Sequence, residues 1–201
     1  MQKNTGLAVI LGIISTAILA DPLFALQPMP IATEQISQAG NKKIQQAQAY
    51  NDRSITLAEQ GKIKSAIAAF NQAIKIYPTF ENAHNNLGLA LSSQDQFAEA
   101  VAAFKQALAI NPQNLETYNN LGVALGSQGN FIEAISVFNQ AVQINPSEPT
   151  SHQNLGVAFW SQGKVPEAVA SLQRAKKLYA AQNKPEGVQQ IEEIIQQVRS
   201  R

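Results

Sequence analysis

One spacing dominates the chain. Asn86-Leu87-Gly88, Asn120-Leu121-Gly122 and Asn154-Leu155-Gly156 follow one another at 34-residue intervals. Pro78, Pro112 and Pro146 keep the same step, as do Ala66, Ala100, Ala134 and Ala168, and Ala73, Ala107, Ala141 and Ala175. Phe70, Phe104, Phe138 and Leu172 form a column of large apolar residues, and Leu57, Leu91, Leu125 and Phe159 form another. A fixed period of this length marks a series of similar supersecondary units. No unit is large enough to bury its own apolar face, so the units must stack on one another.

Within a unit the apolar residues fall at helical spacing in two runs, such as Leu87 and Leu91, then Phe97, Val101, Phe104 and Leu108. Between the runs lie Gln94-Asp95-Gln96, Gln128-Gly129-Asn130 and Gln162-Gly163-Lys164, where a glycine can take the positive φ that ends a helix. Asn111-Pro112 and Asn145-Pro146 stop the second helix, because proline lacks an N–H and clashes with the preceding turn. The small Gly88, Ala100 and Ala107 would let the paired helices approach closely, with Phe104 filling the gap to the next unit.

These columns resemble the tetratricopeptide repeat (TPR) family, whose 34-residue unit carries Leu-Gly, Ala, Phe, Ala and Pro in this order. The resemblance covers residues 47–80, 81–114, 115–148 and 149–182 as four units. It implies an all-α fold, a right-handed superhelical α-solenoid of helix-turn-helix hairpins. Residues 183–201 add a capping helix by their own pattern. Val188, Ile191, Ile194, Ile195 and Val198 mark one face, with Gln189, Glu192, Glu193 and Gln196 opposite. The end units depart from the pattern. Arg53-Ser54 stands where the neighbours have Leu-Gly, and Ala180 replaces the expected proline, so the second helix of unit four runs on to about Gln182.

The N-terminus reads as an address. Lys3, an uncharged run from Gly6 to Ala20 and Ala25 after Leu23-Phe24 resemble a secretory signal peptide over residues 1–25. The run is shorter than the roughly 20 apolar residues of a spanning helix. Cleavage after Ala25 or Ala20, or retention as an uncleaved anchor, all place residues 26 onward outside the cytoplasm. With no cysteine in the chain, a lipid anchor on cysteine is excluded. Residues 26–46 read as a linker.

Zero cysteines also exclude disulfides, thiolate catalysis and cysteine-held metals. The 15 basic and 14 acidic residues provide no field to gather nucleic acid or an anionic membrane surface. Membrane contact is therefore expected only through a retained N-terminus. His84 and His152, 68 residues apart, share the column of Tyr50 and Tyr118, where the family places a packing aromatic. Neither has an acidic cluster assigned to it, and no phosphate-loop, nucleophile-elbow or zinc motif is present. The expectation is a protein without catalytic residues, cofactor or metal.

The resemblance further implies that the first helix of each hairpin lines a concave surface that takes an extended peptide or a partner helix. Its inward columns here would be Asn51, Asn85, Asn119 and Gln153, then Asp52, Asn86, Asn120 and Asn154. One turn on come Ile55, Leu89, Val123 and Val157, then Ala58, Ser92, Gly126 and Trp160. Side-chain amides can donate to and accept from a peptide backbone, or they can satisfy neighbouring backbone groups. Trp160 is the aromatic candidate for a concentrated contact. The first helices of units two to four carry no Lys or Arg, so a clamp for terminal carboxylates is not expected. The function implied is a scaffold for a protein or peptide partner, of the kind that assists assembly of envelope or membrane complexes. The alternative is a solenoid that associates with itself. The chain's 24 Gln and 16 Asn thus have positions, with Gln60, Gln94, Gln128 and Gln162 in one column and Gln72, Gln106 and Gln140 in another.

Overall fold

A computed structural model describes residues 30–200, and side chains from residue 37. The chain divides into residues 1–40 and residues 41–201. The described residues contain no strand. They form nine helices: α1 (Pro30–Glu59), α2 (Ile63–Ile76), α3 (Glu81–Ser92), α4 (Phe97–Ile110), α5 (Leu115–Ser127), α6 (Phe131–Ile144), α7 (Pro149–Ser161), α8 (Val165–Ala181) and α9 (Pro185–Arg199). Helices adjacent in sequence pack together from α2 to α9, while α3 also meets α5 and α5 meets α7. This is the all-α solenoid. The expected signal peptide or anchor, residues 1–25, lies outside the described residues.

The linker expected over 26–46 is helical from Pro30 onward, as the first part of α1. Pro30 sits at the first helical position, where an N–H would have no intrahelical partner anyway. No proline follows it before the end of α1, and Gln, Ala and Lys are good helix formers. Residues 37–46 are all exposed, so the segment lacks the apolar period by which helices are usually recognised.

Hairpins two, three and four close on a glycine seated against a large apolar side chain. A Cβ on Gly88 would stand 2.5 Å from the Phe104 ring, and one on Gly122 would collide with Phe138. Leu172 fills the same place over Gly156. Phe104 therefore seats on its own hairpin's glycine as well as joining the shared core, a contact added to the expected filling of the gap to the next unit. Phe70, Phe104, Phe138 and Leu172 are at most 3% exposed, and each contributes about 1.5–3 kcal/mol by leaving water. In hairpin one Ser54 takes the glycine's place. It is fully buried, and its hydroxyl donates to the Tyr50 carbonyl at 2.6 Å.

The turns follow the residues available. Gly61, Gly129 and Gly163 adopt φ of 73°, 80° and 72°, and in hairpin two Asp95 must take the same left-handed conformation at 57°. Asn145 and Asn111 close the ends of α6 and α4 with side-chain oxygens that accept from Ser147 N and Gln113 N. The core divides in two. One cluster runs from Ala66 to Ala158, and a second joins Ala168, Leu172 and Ala175 to Ile191, Ile195 and Val198 of α9. The apolar face of α9 thus covers α8.

Candidate functional site

The first helices α3, α5 and α7 present a repeated surface. Leu89, Val123 and Val157 are 41%, 51% and 37% exposed, with Ile55 of α1 at 38% in the same column. Large aliphatic side chains held in water at one repeat position cannot be explained by packing within the hairpins. Asn86, Asn120 and Asn154 lie beside them, half-buried, and Ser93, Ser127 and Ser161 lie on the other side, exposed. None of these ten side chains is ionised.

The two amide columns have different placements. Asn51 and Asn85 are 3% and 7% exposed. Asn86 Nδ2 donates to Asn51 Oδ1 at 3.3 Å, and Asn120 Nδ2 donates to Asn85 Oδ1 at 3.4 Å. Asn85 Oδ1 also accepts from the buried Thr117 hydroxyl at 3.1 Å. Each rung of this ladder joins one hairpin to the next. Asn51 and Asn85, expected to line the groove, are instead closed off between hairpins. The cause is that their neighbours' amide and hydroxyl donors would otherwise be buried without an acceptor. Gln153 accepts from the Tyr179 hydroxyl at 3.1 Å, so on this rung a tyrosine of α8 is the donor.

The rung between the third and fourth hairpins is built differently. Asn119 turns its Nδ2 to the Ser151 hydroxyl at 3.0 Å, which leaves its Oδ1 buried with no hydrogen-bond partner. Asn154 consequently makes no bond to Asn119 of the kind that Asn120 makes to Asn85. The Asn154 amide is uncommitted to the ladder and stands at the surface.

Trp160 is partly buried and packs against the terminal core of α8 and α9. The histidines are tethered: His84 Nε2–H donates to the Pro78 carbonyl at 2.8 Å and His152 Nε2–H to the Pro146 carbonyl at 3.0 Å. A carbonyl can only accept, so the bond fixes which ring nitrogen carries the proton. Sequence reasoning missed this link, though its signal is legible, a histidine six residues after the proline in both units. Among the described residues no group of three or more His, Asp or Glu is placed to hold a metal ion, and no helix is long and apolar enough to cross a membrane.

Comparison with known proteins agrees with the repeat architecture. A tetratricopeptide repeat family model matches residues 81–147 and again 115–181, and a second TPR repeat model matches residues 56–95. No curated relative matches in sequence. Among solved structures the chain is similar to MamA, with a TM-score of 0.66 and 24% identity over 69% of this chain and 81% of that one. It is also similar to YrrB, described as a TPR protein with an unusual peptide-binding site, with a TM-score of 0.59 and 18% identity over 83% and 91%. PilF of Pseudomonas aeruginosa aligns with a TM-score of 0.60 and 19% identity over 78% of each chain. At these identities the likeness is one of fold.

Proposed function

Because the chain belongs to the tetratricopeptide repeat family, we propose that it is a non-catalytic scaffold that holds an extended, uncharged partner segment along the face built by α3, α5 and α7. The observation that carries this is the exposed stripe of Leu89, Val123 and Val157, flanked by Asn86, Asn120 and Asn154. Aliphatic surface returned from water supplies affinity, at about 25 cal/mol per Å² buried. The amides and serines beside it can pair with a peptide backbone whatever its side chains are. The peptide-binding site ascribed to YrrB, a protein of similar fold, is consistent with this reading.

The apolar run from Gly6 to Ala20 supports an exported or membrane-tethered protein, which would place its partners among envelope or membrane complexes. Export can be checked by fractionating cells and sequencing the N-terminus of the mature chain. For the binding face, Val123→Ser and Val157→Ser together are the informative change, since both side chains are partly exposed and neither belongs to the buried core. Partner capture should fall while the circular dichroism spectrum and melting temperature are kept. Capture unaltered by the pair would refute the reading. If the partner proves to be a second copy of this chain, light scattering will show mass rising with concentration, and the same pair should abolish the rise.

A further inference from the structure

A cavity of about 300 Å³ opens among α5, α6 and α7, lined by Val123, Val157, Ala158, Phe138, Asn154 and Ser127 among others. It exists because the third hairpin carries small residues at two positions. Gly126 stands where hairpin two has Ser92, and Val123 where it has Leu89. A Cβ built on Gly126 would meet nothing within 4 Å. The cavity adjoins the one rung of the ladder that is left open. Asn119 Oδ1 lacks a donor, and Asn154, which would supply it by analogy with Asn120, lines the cavity instead.

Resting on the proposed function, we propose that this cavity is the anchor socket of the face: it takes one aliphatic or methionine side chain of the bound segment, while Asn154 bonds to the segment's backbone. The lining is mostly carbon with no ionised group, so a charged side chain would lose its hydration without a counter-ion. At about 300 Å³ the cavity has ample room for an aliphatic side chain. The geometry also specifies the segment. Packed helices lie about 8–10 Å apart. A polyproline II segment advances about 3.1 Å per residue with three residues per turn, so side chains three apart in sequence recur at roughly the same interval. With one residue in the socket, those three before or after it fall along the Leu89 to Val157 stripe.

The full chain can be tested against a random 12-residue peptide library, with enriched peptides resynthesised and their affinities measured by calorimetry. The enriched peptides should share one Leu, Ile or Met, with a second apolar residue three positions away. Gly126→Leu fills the socket and should weaken these peptides roughly tenfold or more, and Gly126→Ala by a smaller factor. Both replace a helical glycine that has open space, so the melting temperature should hold or rise. Any loss of binding is then separate from loss of fold, and Gly126→Ala remains informative even if the larger side chain fails to fold. Peptides that bind wild type and both variants equally would overturn the socket while leaving the face itself intact, and peptides that share a charged anchor would overturn the socket and the uncharged partner together. Failure of any peptide to enrich would count against the face and the socket together.

Discussion

The junction between the second and third hairpins and the junction between the third and fourth are built from the same repeat positions, yet one is closed and the other open. In the first, Asn85 Oδ1 takes two donors, Thr117 and Asn120, and Leu89 and Ser92 occupy the surface above. Lys105 crosses it to Glu133 at 2.9 Å. In the second, Asn119 is turned over, its oxygen has no donor, Val123 and Gly126 leave a cavity, and Asn139 stands where the lysine was. A repeat therefore constrains the backbone and the large core residues, while two or three side chains per unit decide whether a junction is sealed or available. On the proposed function, the closed junction holds the hairpins together and the open one is where a partner segment is met.

The strongest way to break this contrast is through the core beneath the open junction. Phe138→Ala should cost about 3–5 kcal/mol in urea unfolding, because the ring fills the space over Gly122 and is 3% exposed. A cost below about 1 kcal/mol would mean that the junction collapses freely and the cavity is not held open by that ring. The rungs come next. Asn85→Ala strands the buried Thr117 hydroxyl and the Asn120 amide, and should cost about 1–3 kcal/mol. Asn119→Ala removes an oxygen that is already unpaired and strands only the buried Ser151 hydroxyl, one group where Asn85→Ala strands two, so its cost should be the smaller of the two, about 1 kcal/mol. Equal losses from these two variants would erase the difference between the junctions.

A contrast in sign is available one turn apart on α5. Gly122→Ala drives a methyl into the Phe138 ring and should destabilise by about 1–3 kcal/mol. Gly126→Ala meets open space and should stabilise by up to about 1 kcal/mol through helix propensity. The smallest effect sharpens the comparison at the surface. Asn139→Lys would bring the lysine of the closed junction opposite Glu167, and should add no more than about 0.5 kcal/mol, since the original pair is itself half-exposed. That gain should disappear in 1 M salt, where exposed charges are screened within about 3 Å.

The fold was legible because it rests on residues whose size cannot vary. Gly88 and Gly122 must be glycine beneath Phe104 and Phe138, and that requirement wrote the 34-residue period into the chain. The helix over 30–46 was hidden because its described side chains are exposed, so propensity without amphipathicity left no period to read. The site was legible in part. Both amide columns stood out, but sequence spacing does not distinguish an amide between two helices from one a single residue later. Asn85 and Asn86 differ by about 100° around the helix, and that turn closes Asn85 between hairpins while Asn86, half-buried, reaches back to Asn51 from the edge of the face. Trp160 shares its column with Ala58, Ser92 and Gly126, all partly buried, and its spacing did not show that it would pack against the core of α8 and α9.

The most direct test of the central claim, that the α3–α5–α7 face binds an uncharged segment and is open at its third rung, is a nuclear magnetic resonance titration of the full chain with an enriched peptide. It would follow Asn side-chain amides and Val methyls at two ionic strengths. The account predicts the largest shifts at Asn154, Val123 and Val157, smaller ones at Asn86 and Asn120, none at the buried Asn51 and Asn85, and an affinity little changed by salt. Shifts concentrated on α4 and α6, or an affinity that falls steeply between low and physiological salt, would contradict it.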